Sequence, residues 1–168
     1  MPDAVSNTSP LLYLHRIGLL HWLPILFATV KIPQAVLDEF EIGRNAGHDV
    51  PDLTRYDWPT IANPTKIPTE WQTLELGPGE LAAMALAQEN PNSIVLLDDL
   101  LARRTAQAAG LTVWGTLKIL LEGKTCGLTE QVEPHLTALT ASGMWLTDKL
   151  RQRILVLANE WPPTSLGE

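Results

Sequence analysis

Short unbroken apolar runs alternate along the chain with longer stretches whose apolar residues recur at helical spacing. The clearest run is Ile94-Val-Leu-Leu97, which ends in Asp98 and Asp99. Four apolar residues without a polar break are how a strand buried on both faces of a parallel sheet looks. Val5-Ser6-Asn7 and residues 29–32 and 111–114 give further strands, with a short edge strand over 58–62. Between them the pattern predicts helices. The first starts with Ser9 as N-cap and Pro10 at the first helical position, and it runs to Gly18. Others cover 33–41, 80–89, 100–109 and 116–122. Two more, over 129–141 and 146–160, flank Gly143, and in the last one Leu146, Leu150, Ile154 and Leu157 form one apolar stripe. Residues 44–78 are broken by Pro51, Pro59, Pro64, Pro68 and Pro78 and read as irregular.

Strands alternating with helices predict an α/β fold with a parallel sheet covered on both faces. The expected organisation is an α/β domain over residues 1–127 and a helical extension over 128–168 packed on the same domain. In open α/β sheets, ligands bind in the crevice beyond the carboxyl ends of the strands. Asp98 and Asp99 stand at that rim, and two adjacent carboxylates repel unless a cation, a proton or a helix end compensates them. A metal site is therefore a candidate there. Asp99 directly precedes a helix and is explained as its cap. Asp98 has no comparable structural explanation.

Two more acids fit the same rim. In the helix after Pro33, Val36, Leu37 and Phe40 define the apolar stripe. Asp38 falls on the far side and Glu39 borders the stripe, so Glu39 can lean over the sheet. Glu80 opens a helix after Gly77-Pro78-Gly79, where an acid is favoured by the helix dipole anyway. That Gly-Pro-Gly segment lacks the Lys-Ser/Thr and the spacing of a phosphate loop. Asn7 ends the first strand as Asp98 ends a later one, but it carries no charge.

Composition narrows the chemistry further. The 168 residues are 45% hydrophobic and 18% charged, which fits one globular domain. No apolar run approaches the roughly 20 residues of a membrane span, and no signal-peptide pattern opens the chain. The single Cys126 cannot form an internal disulfide, so a cytoplasmic, reducing environment is expected, with Cys126 a small packing residue at a helix end. A net charge of −7 counts against a broad electrostatic nucleic-acid binder. His15, His21, His48 and His135 lack paired ligand spacing, and the six tryptophans read as scattered packing residues. The chemistry these residues offer is carboxylate chemistry.

With these positions in hand, the chain resembles the PIN-domain proteins, in the branch related to VapC-type toxins. The matching segments are Val5-Ser-Asn-Thr-Ser-Pro-Leu-Leu12, Ile32-Pro-Gln-Ala-Val-Leu-Asp-Glu39, Leu76-Gly-Pro-Gly-Glu-Leu-Ala82 and Val95-Leu-Leu-Asp-Asp99. Ala102-Arg-Arg104, Gly110-Leu111 and Gly115-Thr116 continue the match. The resemblance implies a three-layer α/β/α sandwich with a central parallel sheet, and a Mg²⁺- or Mn²⁺-dependent endoribonuclease that cleaves RNA. It implies metal ligands at Asn7, Glu39, Glu80, Asp98 and Asp99, with Glu39, Glu80 and Asp98 catalytic. It also implies a small antitoxin protein as partner, and a homodimer. Arg103, Arg104, Lys118 and Lys124 are candidates for holding RNA phosphates.

This sequence departs from the family pattern at Asn7, where an aspartate is usual. One formal charge is lost, so metal affinity should fall and a second metal is disfavoured. The alternative reading is a PIN fold that has lost catalysis and binds protein, using the apolar stripe of the last helix. A response-regulator receiver is disfavoured, because its acidic pair follows the first strand whereas here the pair comes late.

Overall fold

The computed structural model describes residues 1–163, and residues 164–168 of the expected extension over 128–168 lie outside the described residues. The chain forms two compact units, Met1–Thr116 and the remainder from Leu117. In the first unit the elements follow in the order β1 (Asp3–Ser6), α1 (Thr8–Arg16), α2 (Leu23–Leu26), β2 (Val30–Ile32), α3 (Gln34–Asn45), β3 (Pro59–Ile61), α4 (Thr69–Gln72), α5 (Pro78–Glu89), β4 (Ser93–Leu96), α6 (Leu100–Ala108) and β5 (Thr112–Trp114). Then come α7 (Thr116–Thr125), α8 (Glu133–Ala141) and α9 (Asp148–Leu157).

The described strands form one five-stranded sheet of order β3-β2-β1-β4-β5, and every neighbouring pair is parallel. Strand β4 is buried along its whole length and β1 from Ala4 to Ser6, as strands covered on both faces of a parallel sheet are. Val5, Val95 and Leu97 join Ala83, Met84, Leu86, Ala102 and Ala106 of α5 and α6 in one core. The alternate residues Ala4, Ile94 and Leu96 are equally buried, and Phe27 stacks at an angle on Trp114 with ring centroids 5.4 Å apart. The architecture is the expected α/β/α sandwich.

Several local expectations are corrected. Helix α1 starts at Thr8 with Asn7 at the N-cap, not at Ser9 with Pro10 leading. Proline is tolerated throughout a first helical turn, where N–H groups have no partner in the helix, so Pro10 did not fix the boundary. Parallel pairing puts Ser6 opposite Leu96, so Asn7 faces Leu97 and Asp98 stands one residue further on. In α9 the buried positions are Ile154 and Leu155, with Ala158 just beyond, while Leu150 and Leu157 are exposed, so the stripe is rotated from the one the 4, 4, 3 spacing suggested. Cys126 is exposed just past the end of α7. Trp22 and Trp71 are core residues, but Trp145 is 83% and Trp161 44% exposed. No helix among the described residues is long and apolar enough to cross a membrane.

Met84 is fully buried on α5 in the core beneath β1 and β4. Met84→Ala is expected to lower stability by about 2–5 kcal/mol, whereas a change at the exposed Ile42 should stay within about 0.5 kcal/mol. Urea denaturation of the two variants checks the difference.

Candidate functional site

The strand order reverses direction between β1 and β4: the chain leaves β1 toward β2 on one side and leaves β4 toward β5 on the other. The carboxyl ends of such a pair open the crevice in which α/β sheets bind ligands. Asn7 follows β1 there, and Asp98 and Asp99 follow β4.

Glu39 is half-buried on α3 and is held from two other helices. Its Oε1 accepts from the Gly79 N–H at 2.9 Å, and its Oε2 accepts from the Thr8 hydroxyl. The approach to Gly79 demands glycine, since a Cβ there would lie 2.6 Å from Glu39 Oε2. Glu80, one residue on, turns back to the N-terminus of its own helix and accepts from the Gly77 N–H at 3.1 Å. Burial pushes the Glu80 carboxyl above its ordinary range, and the charges of Asp99 and Glu39 push the same way against the Gly77 bond.

The Asp98-Asp99 pair divides. Asp99 is exposed and caps α6, its Oδ2 accepting from the Ala102 N–H at 2.9 Å. Asp98 is half-buried and turns to Thr116, whose N–H reaches Oδ1 at 2.8 Å and whose hydroxyl reaches Oδ2 at 2.7 Å. Burial raises the Asp98 pKa, although both Thr116 bonds and the Arg103 guanidinium pull it down. Asn7 is only 2% exposed. Its N–H donates to the Leu96 carbonyl at 3.1 Å, and its own carbonyl accepts from Ser6 Oγ at 2.9 Å. Its Oδ1 is buried without a hydrogen-bond partner, alone in this among the described residues.

The fold thus brings the charges of Asp99 and Glu39 to bear on Glu80, and it directs Asp98 toward Thr116 and Arg103. Among the described residues no group of three or more His, Cys, Asp or Glu side chains is arranged to hold a metal ion. The donor chemistry nevertheless fits a hard divalent cation: carboxylate oxygens, plus the orphaned amide oxygen of Asn7. Of the cationic candidates, Arg103 folds back onto the Leu97 carbonyl and Arg104 is exposed. Lys118 pairs with Glu122 at 2.7 Å, and Lys124 with Glu160 at 3.1 Å. Thr8, Gly79 and Thr116 orient the acids, and sequence reasoning passed over these roles. The only local signals were the glycines at 79 and 115, each in or beside a helix start.

Because Glu80 ionises less readily folded than unfolded, it favours the folded state at pH below its unfolded value and loses that contribution as pH rises through its folded value. Glu80→Gln keeps an oxygen for Gly77 and should match the unmodified chain in thermal midpoint at about pH 4 but exceed it at about pH 8. Thermal melts across that range, in chelator, check the crossover.

A family model described as a PIN domain, DUF3368, matches residues 3–160. No curated protein and no solved structure matches the chain. A PIN domain points in general to nuclease chemistry, divalent metal ions and RNA. With the match running from β1 past the end of α9, and with a parallel α/β/α sandwich carrying acids at its switch point, this chain belongs to the PIN-domain family.

Proposed function

We propose that this chain is a metal-dependent endoribonuclease, the toxin component of a toxin–antitoxin pair. Asn7, Glu39, Glu80, Asp98 and Asp99 form its acidic rim. The observation that carries this reading is the crowding of negative charge at the sheet's switch point, where Asp99 and Glu39 both act on the half-buried Glu80. Carboxylates held together this way favour a divalent cation. A bound Mg²⁺ or Mn²⁺ would supply positive charge, a bound water of lowered pKa and stabilisation of the attacked phosphate.

The residues supply the orientation. Glu39 is aimed by Thr8 and Gly79, and Glu80 is restrained by Gly77. Asp98 takes both of its bonds from Thr116, and Asp99 is fixed at the start of α6. Asn7 contributes a neutral oxygen, which supports one cation rather than two. RNA is the substrate in this reading, and a small antitoxin protein is the partner that covers the rim. A homodimer and a cytoplasmic setting belong to the same reading.

A second reading, a catalytically weakened PIN fold that binds protein, is supported by one observation. Leu150, Val156 and Leu157 of α9 and the nearby Trp161 are exposed apolar residues. Calorimetry separates the two: heat on Mn²⁺ addition supports the nuclease, and its absence supports the binding module.

Purified protein is expected to cleave single-stranded RNA with Mn²⁺ and to stop in chelator. Asp98→Asn and Glu39→Gln should abolish cleavage. Equal cleavage by the unmodified chain and Asp98→Asn would assign the activity to a contaminant. Asn7→Asp should tighten Mn²⁺ binding, lowering the thermal midpoint in chelator and raising it with Mn²⁺, because the added buried charge is compensated only by the ion.

A further inference from the structure

An arginine on a helix ordinarily extends its guanidinium into water. Arg103, one turn past Asp99 on α6, is half-buried and folds back, and its Nη1 donates to the Leu97 carbonyl at 3.0 Å. That carbonyl belongs to the peptide leading into Asp98. The guanidinium occupies a slot left open at Gly115. A Cβ on Gly115 would lie 2.5 Å from Arg103 Nη1 and 3.1 Å from Asp98 Oδ1. Gly115 is not among the positive-φ residues, so space rather than backbone conformation requires the glycine. From the other side, the Leu97 N–H donates to the Trp114 carbonyl at 2.9 Å. The segment carrying Asp98 is therefore held through its N–H, its carbonyl and its carboxylate by three different partners.

We propose that Arg103 is a positioning residue for RNA cleavage: seated in the Gly115 slot, it fixes the Leu97-Asp98 peptide and so the direction of the Asp98 carboxylate, and it does not meet the RNA phosphate. This rests on the ribonuclease reading above. Gly115 is part of the same device, since any side chain there evicts the guanidinium.

The test uses the full chain, Mn²⁺ and a fluorogenic single-stranded RNA. Arg103→Met is expected to lower kcat about 10- to 100-fold, the scale of a small misplacement of a catalytic group, with KM unchanged. Gly115→Ala should reproduce this loss, and the double variant should be no worse than either single change. Arg103→Lys, which keeps a donor for the carbonyl, should recover part of kcat. If Arg103→Met does not fold, Gly115→Ala and Arg103→Lys carry the same comparison. A raised KM with unchanged kcat makes Arg103 a phosphate ligand and overturns the proposal, as do additive losses in the double variant. Amide exchange at Thr116, whose N–H is bonded to Asp98, gives a readout independent of activity and should quicken in each variant that loses the tether. Unchanged exchange there overturns the tether even where cleavage falls. If the unmodified chain cleaves no RNA while Thr116 exchange still responds, the ribonuclease reading fails and the tether stands.

Discussion

Helix α5 begins inside the protein, with Gly79 buried in its first turn, and a helix start leaves N–H groups that need acceptors. The carboxylate of Glu39 supplies one, as a charge-assisted bond placed where the helix dipole favours an anion. Its second oxygen takes the Thr8 hydroxyl. One side chain on α3 therefore fastens the first turns of α1 and α5, and the missing Cβ at Gly79 lets it come close enough. The rim inherits its arrangement from this contact. Glu80 is the next residue after Gly79, so connectivity alone brings a second carboxylate near the first; burial raises the Glu80 pKa, and the charges of Asp99 and Glu39 add to it.

The same logic repeats around the rim. In a parallel sheet the helix that follows each strand starts at the strand's carboxyl end, so helix N-termini gather where the site lies. Each of the four acids draws on one. Glu39 and Glu80 accept N–H groups at the start of α5, Asp99 at the start of α6 and Asp98 at the start of α7. An N–H donor favours the ionised form of a carboxylate, but at Asp98 and Glu80 burial outweighs these bonds. The burial and the neighbouring charges still push the Glu80 carboxyl upward. The rim is thus formed by the fold, and in the proposed reading the charge remaining on it is what a divalent cation would bind.

Features that depend on neighbours in sequence were legible in the sequence, and those that depend on distant partners were not. The unbroken run of Ile94 to Leu97 identified a doubly buried strand, and the stripe of Val36, Leu37 and Phe40 placed Glu39 at its border and Asp38 outside. The capping role of Asp99 followed from its position before a helix. The turn of Asp98 toward Thr116 did not, because its partner lies 18 residues away beyond another strand. Arg103 on a helix reads as solvated until the slot at Gly115 is known. The stripe of α9 was misjudged for a related reason: leucine spacing marks an apolar face, but tertiary packing chose Ile154, Leu155 and Ala158. Trp145 shows the same limit, since residue type alone does not reveal that it is exposed.

Asn7 is where local chemistry and the demands of a metal site part company. It occupies the N-cap of α1, yet its side chain makes no capping bond, and its Oδ1 is buried without a donor. None of the four N–H groups that steady the acids is directed to it. An unpaired amide oxygen costs about 1–3 kcal/mol. A carboxylate in the same place would cost several kcal/mol more without a counter-ion, since a buried charge must be paired or hydrogen-bonded. Asparagine therefore costs less to bury than aspartate would, and its orphaned oxygen has no donor among the described residues. With aspartate at this position, folding and cation binding would be tightly coupled. Asparagine loosens that coupling, and in the proposed metal-dependent reading the affinity for a cation would depend mainly on how firmly Glu39, Glu80, Asp98 and Asp99 are held.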